Sequence, residues 1–449
     1  MGYVMASILI CATPAHGHVA PLLAVATELV RRGDRVRFLT GRRFADAVAA
    51  TGAGFCPLPD EADFDDRTID ADHPRRAGLT GPAVFRHDFR EIFLRPALSQ
   101  YRLLRSLIEA EPVTVVLAEP LFIGAIALVL RDRADRPVVI GAGILPLGLT
   151  SRDTAPFGLG IPPMRGVLGR LRNRVLTVVA QRIVFRALHR ECSRTLEPVT
   201  GRGLPVFFMD WQVLADGLAQ FTVPGFEYPR SDLPPTVRFI GPVARSPRPD
   251  TPLPDWWDEL SGQRRVILVT QGTVANADPG QLAGPAMAGL AGEDALVVVT
   301  TGGADVRRLP HPLPDNVRVA PFLPFELLLP RVDVLVTNGG YGGVHFALRH
   351  GVPMVVAGAT EDKAEVSARV VWSGAGVGLG TNTPEPAAVA RAVRTVLRDP
   401  GYARAAERLA AEIAAAPGVA GLAEMIDAAS AARQRDRAAS TVDGRSSPR

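Results

Sequence analysis

The chain has 449 residues, 47% hydrophobic and 21% charged, with a formal net charge of +4; this allows two domains with substantial cores and excludes a disordered chain. Its base is almost wholly arginine dispersed among acids, Lys363 being the only lysine, which excludes the continuous basic face of a nucleic-acid binder and points to a GC-rich bacterial genome. Cys11, Cys56 and Cys192 are scattered, with neither metal spacing nor a disulfide framework, as suits a reducing cytoplasm.

Residues 7–13 predict a first strand. Its apolar part, residues 8–12, is too short to span a bilayer and no basic residue precedes it, so it reads as a buried strand. The strand runs into Thr13-Pro14-Ala15-His16-Gly17-His18, and a helical run follows over 19–32, with Pro21 in its first turn and Gly33 closing it. Further short strands are predicted at 36–40, 113–118 and 138–141, with a helical run over 91–109 between them. This alternation predicts a parallel, doubly wound sheet, whose ligands bind beyond the carboxyl ends of the strands. A histidine on the first loop faces that region, and an unperturbed pKa of about 6.5 suits a general base at neutral pH. A helix-capping or surface histidine is the competing reading.

Asp63-Phe64-Asp65 has the form of a metal-binding Asp-x-Asp motif. It stands in an acidic loop without a glycine-turn partner and is read as a chance match, with no metal. Phe85, Phe89 and Phe93 recur at helical spacing, which fits core packing or one wall of a pocket. The loop 145–164 is rich in Leu, Pro and Gly and is too long to be structureless without a purpose. Phe85, Phe89, Leu145 and Phe157 are therefore candidate contacts for a bulky, apolar, hydroxyl-bearing small molecule. Residues 165–190 combine Leu168, Leu171, Val175, Val179 and Ile183 with seven arginines. A solvated helix face is preferred there to a membrane-surface helix.

A proline-rich stretch then interrupts the pattern, and strands resume at 266–270, 295–300, 332–337 and 354–357. The expected division is a domain at 1–225, a linker at 226–254, a second domain at 255–400, helices at 401–433 that cross back to the first domain, and a disordered tail at 434–449. The strand at 332–337 meets Asn338, Gly339 and Gly340, then Tyr341, Gly342 and Gly343, and a helical run from Val344. A strand, a glycine turn and a helix start gather backbone N–H groups at the positive end of a helix dipole, an anion site that a phosphate can approach closely. A plain turn that binds nothing is the competing reading. The run is not the dinucleotide fingerprint G-x-G-x-x-G, and no acidic residue stands where NAD would need one. Glu361, Asp362 and Lys363 follow the next strand and open at the same sheet edge, so a diphosphate-linked ligand with a polar group beyond it is expected.

This segment resembles the donor-binding motif of nucleotide-sugar-dependent glycosyltransferases of the GT-B fold, the group that glycosylates macrolides, polyketides and plant phenols. Their motif runs His-x-Gly-Gly-x-Gly-Ser/Thr, then Gly-Val-Pro, then an Asp-Gln pair; here stand Asn338 to Gly343, Gly351-Val352-Pro353 and Asp362-Lys363. The resemblance implies two Rossmann-like domains facing across a cleft. It implies His18, after the loop glycine, as the catalytic base, with His16 shaping the loop. Glu119 stands where the family has an Asp that orients the base; an exposed strand end is its competing reading. Gln271, Gly272 and Thr273 resemble the family's phosphate contact, and Phe322 takes the place of a tryptophan stacked on the nucleobase. Asn338, Gly343, Phe325 and Phe346 depart from the usual His, Ser or Thr, Gln and Glu, and Lys363 is expected to restore the charge missing at Asn338. The expected activity is inverting transfer of a sugar from a UDP or TDP donor to an apolar acceptor. The nucleotide sugar is a co-substrate, and no cofactor, metal or nucleic acid is involved. The protein is expected as a monomer or homodimer. An epimerase or hydrolase acting on the donor alone, and a non-catalytic nucleotide-sugar binder, are the rival readings.

Overall fold

The computed structural model describes residues 5–76, 78–243, 252–272, 278–360 and 362–443. Strands β1 (Ser7–Cys11), β2 (Arg35–Thr40), β3 (Gly54–Pro57), β4 (Val115–Ala118), β5 (Val138–Gly143), β6 (Gly217–Gln220) and β7 (Val237–Phe239) form a seven-stranded sheet in the order β3-β2-β1-β4-β5-β6-β7. Every pairing in it is parallel. A second, six-stranded parallel sheet holds β8 (Arg265–Thr270), β9 (Ala295–Thr300), β10 (Val317–Ala320), β11 (Val334–Thr337), β12 (Met354–Val356) and β13 (Gly376–Gly378), ordered β10-β9-β8-β11-β12-β13. Central strands such as β4 and β9 are buried along their whole length. Helices cover both faces of each sheet, which explains the unbroken Val and Leu runs.

In each sheet the strand order reverses once, at β1/β4 in the first and at β8/β11 in the second. Loops leaving neighbouring strands at such a point diverge and open a crevice. Cys11 pairs with Ala118 and Thr270 with Thr337, so each pair of strands ends level and both loops start together.

Several elements differ from the sequence reading. β7 lies inside the stretch expected as linker. Three residues after a proline pair suffice for an edge strand, where proline costs no ladder hydrogen bond. The first helix spans His16–Arg32, so Pro21 sits within it and His18 belongs to its first turn. The final helix spans Gly418–Asp443 and continues through part of the tail expected to be disordered, because its Ala, Arg and Gln favour helix without any apolar period. Its Leu422, Ala423, Met425 and Ile426 join the core beneath β1 and β5, and Asp427 pairs with Arg32 at 3.1 Å.

The segment 165–184 also departs from expectation. The helix Gly166–Val179 continues into a π-helical turn, Ala180–Val184. Val167, Leu168, Leu171, Val175, Val178 and Ile183 are each at least half exposed. The solvent-facing side therefore carries an apolar stripe alongside the exposed Arg165, Arg170, Arg174 and Arg182. No single helix among the described residues is long and apolar enough to cross a membrane.

Candidate active site

Glu119 follows β4 and is fully buried, which rules out an exposed strand end. Its Oε2 lies 3.1 Å from His18 Nδ1 and accepts the Leu121 N–H at 2.7 Å. Oε1 accepts from Thr13, through the backbone N–H at 3.1 Å and the hydroxyl at 2.8 Å. With its own proton given to Glu119, the Thr13 hydroxyl oxygen can only accept from His18 Nδ1, 3.0 Å away. Both neighbours of Nδ1 are acceptors, so that nitrogen carries the hydrogen and Nε2 keeps its lone pair. The His18 side chain is 14% exposed, enough for one ring edge to reach the crevice.

Burial alone would lower the His18 pKa, but the Glu119 carboxylate outweighs it through charge and hydrogen bond. Asp362 and Asp66 add to the effect, and the imidazole is held above its ordinary 6.5. Burial would likewise raise Glu119, yet His18, the Leu121 N–H and Thr13 hold it below the usual carboxylate range. The pair is a proton acceptor with a fixed tautomer and a buried counter-charge. Asp362 belongs to the second domain, so that domain's charge is felt at the first domain's histidine.

The loop around this pair is set by acid–arginine contacts. Asp66 accepts the His16 N–H at 2.6 Å and meets Arg43 at 2.5 Å. Asp63 pairs with Arg42 at 2.9 Å, and Asp65 with Arg43 and Arg67. The Asp-x-Asp carboxylates are thus neutralised by guanidinium groups, and His16 serves the loop through its backbone.

A cavity opens beside the pair, with Pro120 and Leu121 on one wall. Phe89, Leu145 and Phe157 line it, together with Phe208 and Met209. Phe85 does not. It packs behind Phe89 at 6.0 Å and edge-on to Phe185 at 5.3 Å, one helical turn too far back. Gln212 and Gln220 bring polar groups to the lining. Gln220 is occupied, donating to Leu145 O at 2.7 Å. Gln212 Nε2 is buried without a partner among the described residues, an unused amide donor on a residue of the cavity wall.

Across the cleft, β11 ends in Asn338, Gly339 and Gly340, and the helix begins at Tyr341. Gly339 has φ +83°, and a Cβ there would lie 2.7 Å from Val356, so the turn accepts only glycine without strain. Gly342 and Gly343 fall in the first helical turn, with nothing within 4 Å of a Cβ at either. The N–H groups of Tyr341, Gly342 and Gly343 open this helix, where no intrahelical acceptor exists for them. Asn338 donates to Gln271 O, tying the loops after β8 and β11 together beside Gly272, whose φ is +79°.

Two expected contacts turn away. The Gln271 side chain is buried, accepting from Leu282 and Ala283 and donating to Asp278 O; it shapes its own loop. The Tyr341 hydroxyl is buried against Gln220 of the first domain at 3.3 Å, so only the Tyr341 backbone remains at the turn. Asp362 and Lys363 stand at the start of the helix Lys363–Ser373. Phe322 is 58% exposed beside Gly303, an open ring face at the rim. Phe325 and Phe346, both departures from the family pattern, pack edge-on at 6.5 Å. Thr273 and Glu361 lie outside the described residues.

Some of the wiring was not read from the sequence. Arg369 is buried between Glu227 at 2.9 Å and Glu365 at 2.7 Å. Glu365 also accepts the N–H groups of Gly158 and Gly160 at 2.8 and 2.9 Å. One helix therefore starts at Asp362 and Lys363 and holds, within its first turn, the loop that carries Phe157. Between the domains His345 bonds Thr222 at 2.7 Å, and burial pushes its pKa down to about 4.

The fold is shared with the crystal structure of the glycosyltransferase of kitacinnamycin, with a TM-score of 0.71 and 24% identity over 95% of this chain and 99% of that one. Two parallel sheets facing across a cleft, with a histidine–carboxylate pair on one side and a glycine-started helix on the other, define a GT-B glycosyltransferase. The chain is 45% identical over 426 residues to 4'-demethylrebeccamycin synthase of Lentzea aerocolonigenes, spanning 94% of this chain and 99% of that relative. It is 35% identical over 438 residues to UDP-glycosyltransferase 2 of Phaeomoniella chlamydospora, spanning 95% and 96%. Residues 285–428 match the family described as Erythromycin biosynthesis protein CIII-like, C-terminal domain. The chain belongs to the family of nucleotide-sugar glycosyltransferases of natural-product type.

Proposed function

We propose that this glycosyltransferase moves a sugar with inversion, and without a metal, from a UDP or TDP donor to a hydroxyl of an apolar small molecule held in the first domain's cavity. His18 Nε2 takes the acceptor proton as the hydroxyl oxygen attacks the anomeric carbon. The bond from that carbon to the diphosphate oxygen breaks, and the leaving group departs with the electron pair on the opposite face. Glu119 and Thr13 hold the tautomer and stabilise the imidazolium that forms. The diphosphate charge meets the N–H groups from Gly340 to Gly343 and the Lys363 ammonium, and Asp362 accepts from sugar hydroxyls. Phe322 stacks on the nucleobase. Phe89, Leu145 and Phe157 surround the acceptor, and Gln212 donates to an oxygen on it. Thr273 and Glu361 are kept as expected donor contacts.

The observation that carries this reading is the buried His18–Glu119 pair at the switch point, immediately beside a mainly apolar cavity. The Lentzea relative is named for 4'-demethylrebeccamycin, and another neighbour in fold is named a calicheamicin glycosyltransferase; a bulky natural-product acceptor is extended from them to this chain. A cytoplasmic location goes with the nucleotide-sugar donor and the free cysteines. The test is nucleoside-diphosphate release from a panel of nucleotide sugars, with and without hydroxylated polycyclic and polyketide acceptors. Release that requires acceptor, with a product heavier by one sugar, is expected. Equal release without acceptor would make the protein a hydrolase instead.

A further inference from the structure

The exposed face of the helix Gly166–Val179 and its continuation serves neither the cavity nor the cleft. Val167, Leu168, Leu171, Val175, Val178 and Ile183 are 83, 74, 57, 53, 50 and 70% exposed. Their spacing puts them on one stripe of a helix. A contiguous apolar face of this kind on a protein surface marks something that covers it.

Charge indicates what does. Between Asp153 and Glu191 there is no acidic residue, and seven arginines are present: 165, 170, 172, 174, 182, 186 and 190. Arg170 is paired with Asp153 at 2.9 Å, and Arg172 donates to Pro162 O. Arg165, Arg174 and Arg182 are exposed and have no carboxylate partner among the described residues. On a helical projection Arg165 and Arg172 flank the apolar stripe on one side, with Arg170 and Arg174 on the other. A two-fold contact with a second copy would bring like-charged flanks together, whereas a surface of negative charge over an apolar interior satisfies both features at once.

We propose that this helix docks the protein on an anionic lipid surface, the stripe entering the acyl boundary and the arginines meeting the headgroups. The helix leaves directly from the loop whose Phe157 lines the cavity. Docking therefore sets the cavity's own loop against the lipid, a source from which an apolar acceptor can be drawn. This last point rests on the transferase reading; the docking does not.

The experiment is co-sedimentation of the full chain with vesicles of phosphatidylglycerol and phosphatidylethanolamine, against vesicles of phosphatidylcholine, at low and high salt. The triple variant Leu168→Glu/Leu171→Glu/Val175→Glu changes only exposed side chains, and Arg174→Gln/Arg182→Gln tests the charge. Wild type is expected to bind the anionic vesicles. The triple variant should bind them about tenfold or more weakly, and the arginine variant should lose most of the salt-sensitive part. Turnover of a water-soluble acceptor should be unchanged in both. No binding to anionic vesicles, or equal binding by the triple variant, overturns the proposal. So does a wild-type dimer in solution that the triple variant splits, which would assign the face to a second copy. Vesicle binding is read without turnover, so failure here is separable from failure of the transferase reading.

Discussion

The two switch points are the same topological device used for opposite chemistry. At β1/β4 the loops carry side chains: Thr13, His18 and Glu119 form a closed network with one ring nitrogen left over. At β8/β11 side chains have been withdrawn. Gly339 is required by its φ, Gly342 and Gly343 leave open space, and Gln271 and Tyr341 point away from the turn. Proton transfer needs one group of defined pKa in a defined orientation, whereas a diphosphate needs many weak donors at close range. The comparison teaches that side-chain substitutions should act on rate at the first point and on donor binding or folding at the second.

The largest effect expected from breaking that division is at His18. His18→Ala should lower kcat by about 10³- to 10⁴-fold while leaving donor affinity by calorimetry unchanged. Glu119→Gln should lower kcat by about 10²- to 10⁴-fold through loss of orientation and counter-charge.

Arg369 sharpens the comparison from the side of stability. Arg369→Ala leaves Glu365 buried without its cation and Glu227 with only Arg230 at 3.6 Å and should cost about 3–5 kcal/mol in denaturant unfolding. Gly339→Ala places a Cβ where φ and Val356 both oppose it and should cost about 1–3 kcal/mol. Gly342→Val should leave stability nearly intact and instead raise the donor KM. Smallest is Gln212→Met, which should raise acceptor KM by about threefold to tenfold, as expected for one lost hydrogen bond, with donor KM unchanged.

What was legible in the sequence was local. The glycine turn, the histidine loop and the strand-end Glu119 are short patterns whose backbone geometry dictates where they sit. The central strands were legible because burial on both faces makes them unbroken apolar runs. The strands β3, β6, β7, β10 and β13 were not: each spans only three or four residues, and Gly or Pro stands in or beside most of them. Side-chain direction was the other gap. Gln271 and Tyr341 sit within a binding motif, yet packing against Ala283 and Gln220 decides where they point. Phe85 and Phe89 share a helical face, and only the tilt of that helix puts one at the cavity and one behind it. Thr13 had a signal, a hydroxyl at the strand end before proline, but its role appears only when Glu119 arrives from β4. Glu365 and Arg369 read as one more helical pair, and nothing local says that Gly158 and Gly160 come to meet them.

The most direct measurement is the pH dependence of kcat/KM for wild type and Glu119→Gln. The base works unprotonated, so the wild-type rate should fall as pH drops through a pKa above 6.5, where Glu119 holds His18. Removing that carboxylate's charge leaves burial to dominate, so the acidic limb of Glu119→Gln should move to lower pH while its plateau drops. A limb that stays in place in the variant would mean that His18, as oriented by Glu119, is not the group that takes the proton.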